Sequence, residues 1–125
     1  MNPNKFSLKS RLQSFRFALN GLRSLLKYEH NSRIHSIAAI AVIVLGLLMK
    51  INPTEWSLLI IVIGMVFITE LLNSSLESFA DSLKPEWNDL IGKAKDYSAA
   101  AVLIAAVISL VVGAIIFVPK LLDLI

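Results

Sequence analysis

The chain has 125 residues, of which 56% are apolar and only 17% charged, with a mean hydropathy of +0.72. A water-soluble domain this small needs a far more polar surface, which argues against disorder, nucleic-acid binding and an ordinary soluble enzyme, and for an integral membrane protein. The formal net charge is +3 and there is no cysteine, so a disulfide framework and thiolate chemistry are excluded and any metal falls to oxygen or imidazole ligands.

In chain order, Leu8, Leu12, Phe15, Leu19, Leu22 and Leu26 alternate spacings of four and three. That pattern predicts an amphipathic helix over 5–28 with Arg11, Arg16, Arg23 and Lys27 off its apolar stripe. Such a helix is expected to lie flat in the membrane interface, as an anchor or as part of the route of a lipid substrate. Gly21 either permits close approach of another backbone or has no packing role. Seven of the 12 basic residues, Lys5, Lys9, Arg11, Arg16, Arg23, Lys27 and Arg33, precede the first apolar run, which places the N-terminus on the cytoplasmic side. A cleaved signal peptide is not expected, because that run starts so late.

Three apolar runs follow, Ile34 to Met49, Trp56 to Leu72 and Ser98 to Val118, predicting membrane spans over 33–50, 55–80 and 92–119 of a single domain covering 1–125. A helix rises about 1.5 Å per residue, so only the third run crosses a hydrocarbon core of ~30 Å unaided, and the others need flanking helix. Lys50, Asn52, Pro53 and Thr54 predict a tight turn with Thr54 as N-cap, making the first two spans an antiparallel hairpin. Lys84, Lys93 and Lys95 keep the second connection inside, so the C-terminus is expected outside. Trp56 and Trp87 are placed near opposite interfaces. In the third span Ala101, Ala105, Ser109 and Gly113 recur every four residues, a helix-packing pattern for use inside the chain or between copies. The fold class is therefore all-α: an interfacial helix and three transmembrane helices, in a bundle expected to be a homotrimer.

Chemistry concentrates in the second span. Glu70, Asn73, Ser74, Glu77 and Asp81 fall in one sector at about 100° per residue. Unpaired carboxylates at the membrane edge cost several kcal/mol each, so they are protonated, paired, or neutralised by a cation such as Mg²⁺ arriving with a nucleotide. Asp81 alone is better explained as solvated among headgroups. Glu70, with apolar neighbours on both sides, is a candidate base, proton carrier or cation ligand. Glu29, and the pair Lys95 and Asp96, flank the same membrane edge and are ordinary surface residues by default.

The segment Glu70-Leu71-Leu72-Asn73-Ser74-Ser75-Leu76-Glu77 with Asp81, and Gly92-Lys93-Ala94-Lys95-Asp96 leading into Ala99 to Ala105, together with Asn20-Gly21-Leu22-Arg23 and Glu29, closely resemble the prokaryotic diacylglycerol kinase family over roughly residues 10 to 118. The resemblance implies a small homotrimeric inner-membrane kinase whose active sites are shared between subunits. It implies ATP as phosphoryl donor, Mg²⁺ as cofactor and a membrane lipid alcohol as acceptor, diacylglycerol first and undecaprenol second. By the same resemblance Glu70 is the base that accepts the lipid hydroxyl proton, and Asn73 supports the site. Glu29 and Glu77 bind the metal that accompanies ATP, and Lys95, Asp96, Glu86, Trp87 and Asn88 match nucleotide-contacting positions. The chain departs from better-known members with Ser10 where they have an arginine, although Arg11 is adjacent. It has Phe17 for an ATP-contacting tyrosine, and Ala99 for a serine at the substrate. The run Glu29-His30-Asn31-Ser32-Arg33-Ile34-His35 looks more like the branch that includes undecaprenol kinases, and His30 and His35 are either metal ligands or, more commonly for this setting, interfacial polar residues. Readings from other classes are a proton-coupled transporter, which needs one essential carboxylate and neither Glu29, Glu77 nor Lys95, and a structural subunit, which leaves the acidic face without a purpose.

Overall fold

The computed structural model describes residues 5–83 and 88–125, and among these the chain is wholly helical. Helix α1 spans Leu8–Tyr28, α2 His30–Leu48, α3 Pro53–Ser82 and α4 Asp89–Leu122. The last three are each long and apolar enough to cross a membrane. Their most extensive pairing is α3 against α4. Trp87, Glu86 and Lys84 lie outside the described residues.

Local chemistry sets each boundary. Ser7 caps α1 by accepting a hydrogen bond from the Ser10 amide at 3.3 Å. At the other end Glu29 is extended, with φ −103° and ψ 114°, and serves at once as the C-cap of α1 and the N-cap of α2. Arg33, one turn into α2, reaches back over this elbow. Its Nε donates to the Leu26 carbonyl at 2.9 Å and its Nη2 to the Lys27 carbonyl, closing two acceptors that the end of α1 leaves open.

The turn between α2 and α3 is more elaborate than the sequence suggests. Lys50 adopts a left-handed φ of 52°, Ile51 N donates to Gly46 O at 3.2 Å, and Lys50 N donates to Leu47 O at 3.4 Å, which is a Schellman arrangement. The N-cap of α3 is Asn52, not Thr54. Its side chain accepts from Glu55 N at 2.9 Å while Glu55 Oε1 accepts from Asn52 N at 3.1 Å. Pro53 decides the matter, because its fixed φ and missing amide hydrogen suit the first helical position and place the cap at Asn52, two residues before Thr54.

This end of the bundle holds the apolar core of Ile51, Leu59, Ile116 and Phe117, with Trp56 packed against it. A Cβ on Gly46 would stand 2.9 Å from the Trp56 ring, so the absence of a side chain is what admits the indole. Trp56 is thus a half-buried core residue. Lys120 Nζ meets Glu55 Oε2 at 3.1 Å and ties the end of α4 to the start of α3.

The small-residue stripe of α4 is used in part within the chain. Ala105 is buried, and Ser109 Oγ bonds Ala105 O at 2.8 Å and, across the interface, Val62 O on α3 at 3.2 Å. Ala101 is exposed, and a Cβ on Gly113 would touch nothing within 4 Å. On α1 the buried residue is Leu25, which lies off the predicted stripe. Leu8, Leu12, Phe15, Leu19, Leu22 and Leu26 are all exposed, so the apolar stripe turns away from the other helices of the chain.

Candidate active site

The end of the bundle opposite the hairpin is polar. Glu70 is only 2% exposed, placed by a regular α3 on the side facing α2, and its Oε1 stands 3.2 Å from His35 Nε2. That contact has ion-pair reach without hydrogen-bond alignment, since Oε1 finds no aligned partner among the described residues. Glu77 lies two turns further along α3, and Glu29 stands at the elbow between α1 and α2.

The single sector predicted for α3 divides when its neighbours are considered. Glu70, Glu77 and Asp81 run down its middle, while Asn73 and Ser74 lie on opposite flanks at about 100° per residue. Asn73 turns to α4, where its Oδ1 accepts a hydrogen bond from Ser98 Oγ. Ser74 turns to α1, with its Oγ buried and without a hydrogen bond among the described residues. Asp81 is not idle among headgroups: its Oδ1 meets Lys95 Nζ at 3.3 Å, because the long lysine side chain spans from the first turns of α4.

Between α1 and α3 a cleft of about 490 Å³ is lined by Gly21, Ser24, Tyr28, Glu29, Ser74, Ser75 and Ser78 among others. Gly21 therefore opens space, and a Cβ there would meet nothing within 4 Å. Glu29 reaches this cleft because it occupies the elbow, and its carboxylate makes no cap hydrogen bond. Ser32, in the first turn of α2, is fully buried with an Oγ that likewise has no hydrogen bond among the described residues. Unsatisfied hydroxyls are rare in a native interior, and here they collect around the acidic cluster.

Other positions singled out in the sequence are more dispersed. Phe17 is 69% exposed on α1, one turn ahead of Gly21, and Asp96 and Ala99 are exposed on α4. Asn88 is the N-cap of α4, its Oδ1 accepting from Leu90 N at 2.9 Å and Ile91 N at 3.2 Å, which leaves its amide NH₂ for other partners. Glu86 and Trp87 fall outside the described residues. His30 is exposed, and among the described residues no three His, Asp or Glu side chains form a group able to hold a metal ion. Two residues acquire importance only here. Ser98 holds Asn73 and is adjacent to Ala99, so a serine is present one position away from the one the resemblance leads one to seek. Arg33 fixes the elbow that carries Glu29; the only sequence hint was its place four residues after that glutamate.

The profile described as Prokaryotic diacylglycerol kinase matches residues 16–117. The chain belongs to the prokaryotic diacylglycerol kinase family. It is 38% identical over 109 residues to the undecaprenol kinase of Bacillus subtilis, an alignment covering 87% of this chain and 89% of that protein. It is 36% identical over 114 residues to the diacylglycerol kinase of Synechocystis, covering 90% of this chain and 65% of that protein. The diacylglycerol kinase of Escherichia coli K12 is 31% identical over 100 residues, 80% of this chain and 82% of the relative. The protein is thus an enzyme, a membrane-embedded lipid kinase of this family, acting on lipid alcohols.

Proposed function

We propose that this kinase transfers the γ-phosphoryl group of ATP to the hydroxyl of diacylglycerol at the cytoplasmic face of a bacterial inner membrane, giving phosphatidic acid. The observation that carries the reading is Glu70, a buried carboxyl on an apolar helix with an oxygen that no aligned donor among the described residues satisfies. An intramembrane carboxyl of this kind is a functional group by default, and its depth suits a lipid hydroxyl. Glu70 takes the proton as the lipid oxygen bonds to the γ-phosphorus; the bridging bond breaks and ADP leaves with the electron pair.

The donor set near the cleft fits Mg²⁺. A hard ion that arrives with phosphate oxygens and water needs only one or two protein carboxylates; Glu29, which lines the cleft and makes no cap hydrogen bond, would supply one, and Glu77, on α3 outside the cleft lining, the other. When bound, the ion supplies charge neutralisation for the phosphates. Lys95, positioned by Asp81, and Asp96 border the nucleotide, with Phe17 offering a stacking surface and Asn88 its free amide, and Glu86 and Trp87 complete that set. Asn73, held by Ser98, orients the polar groups beside the base, and Ala99 borders the lipid.

The active unit in this reading is a homotrimer with the N-terminus inside and the C-terminus outside. The apolar faces that α4 leaves open, at Ala101 and Gly113, support assembly, and the outward stripe of α1, flanked by arginines, supports its lying in the interface. Undecaprenol is the second acceptor to consider, favoured by the 38% identity to the Bacillus subtilis enzyme. The test offers both lipids side by side in micelles with labelled ATP and Mg²⁺, and Glu70→Gln as control. Label in diacylglycerol that the variant abolishes is the expected result. Label in undecaprenol alone transfers the assignment to that acceptor, and label in neither overturns the kinase reading of this site.

A further inference from the structure

We propose that His35 is a positioning residue for phosphoryl transfer, its imidazole holding the Glu70 carboxyl in the orientation from which it takes the lipid hydroxyl proton. The inference rests on Glu70 being the base, as read above. His35 Nε2 lies 3.2 Å from Glu70 Oε1, with side-chain exposures of 24% and 3%. Among the described residues His35 is the side chain at contact distance from the Glu70 carboxyl, and its ring nitrogen can present an N–H to it as a carboxylate cannot. A ring nitrogen at that distance can hold the carboxyl in place.

The second observation is where the imidazole stands. It forms part of the wall of an apolar groove of about 310 Å³ between α2, α3 and α4, alongside Ala38, Val42, Val62, Val66 and Phe67. Glu70 does not line the groove, so His35 borders both the groove and the carboxyl. A carboxylate oxygen has two lone pairs, so Oε1 can face His35 Nε2 and still take the hydroxyl proton while the carboxyl is kept from rotating away. In the reaction the proton goes from lipid oxygen to Glu70, the lipid oxygen bonds to the γ-phosphorus, and ADP departs with the electrons of the broken bridge. His35 exchanges no proton in this step. Misplacing a reacting group by about 1 Å costs on the order of 100-fold in rate, which is the scale on which a positioning residue acts.

The test uses the full-length protein in lipid micelles and normalises rates to folded protein. His35→Ala is expected to lower kcat about 10- to 100-fold with the KM for ATP within about twofold, and His35→Gln, which keeps an N–H donor, to recover most of the loss. Unchanged kcat in His35→Ala, with only a lower Tm, overturns the proposal by making the contact purely structural. A second readout needs no turnover: the rate at which an apolar carbodiimide labels Glu70, expected to rise several-fold in both His35→Ala and His35→Phe as the carboxyl is released. An unchanged labelling rate overturns the proposal even in an alanine variant too unstable for kinetics. If wild-type protein phosphorylates neither lipid, the kinase reading of the site fails on its own, and the labelling still decides whether His35 holds Glu70.

Discussion

The two ends of α3 are built on opposite principles. At the hairpin end every device closes: the capping box of Asn52 and Glu55, the Schellman turn through Lys50, Trp56 seated on Gly46, and the Lys120 to Glu55 ion pair. At the other end Glu70, Ser32 and Ser74 keep buried oxygens without aligned partners among the described residues, and a cleft stands open between α1 and α3. The same helix serves both, since α3 is long enough for one end to be fixed while the other presents polar groups. Stability is concentrated where there is no chemistry, and polar groups are left unsatisfied where a substrate can complete them.

That contrast predicts how variants divide. The largest effect is expected at Glu70→Gln, which removes the base while keeping size: lipid phosphorylation should fall by about 10²- to 10⁴-fold with an unchanged Tm. Retained activity would remove Glu70 from the chemistry and with it the functional end of the comparison. Glu77→Gln is expected to raise the Mg²⁺ concentration needed for half-maximal rate by about tenfold, measured by metal titration at saturating ATP. An unaltered titration curve would separate Glu77 from the metal. Gly46→Val should do the opposite of both, driving a side chain into Trp56 and Ile51 at a cost of about 1–3 kcal/mol in stability, with kcat per folded molecule unchanged. Were kcat to fall with an intact Tm, the two ends would not be independent.

Smaller effects sharpen the boundary. Asn52→Ala removes the cap of α3 and is expected to cost about 1 kcal/mol, read as a lower Tm at constant activity. Lys50→Gly relieves a side chain held at a φ of 52° and should raise the Tm slightly, again without touching turnover. A lowered Tm there would mean that the lysine side chain contributes more than its backbone conformation costs.

The polar end of the bundle was legible in residue types. Glu70 between apolar neighbours, the spacing to Glu77, and the lysine and aspartate before the last span all point to a polar site at one membrane edge, because a carboxyl in hydrocarbon has no neutral explanation. The turn was less legible. Thr54 is a good cap by type, and only the fixed φ of Pro53 gives the position to Asn52. The small-residue stripe on α4 was visible as a pattern, but which members would meet α3 was not, since a period of four says that a face is narrow without saying what faces it.

By itself the sequence determined that this is a helical membrane protein with one acidic, polar end, since hydropathy, charge placement and helical period are properties of the chain read in order. Tertiary structure decided which partner each of those groups has: His35 against Glu70, Ser98 with Asn73, Lys95 with Asp81, and Arg33 over the elbow of Glu29. Each of these contacts joins different helices, Arg33 of α2 reaching the carbonyls of α1. Such contacts depend on how one helix is rotated and shifted against another, a quantity set by packing across the whole interface and absent from the periodicity of either strand of sequence.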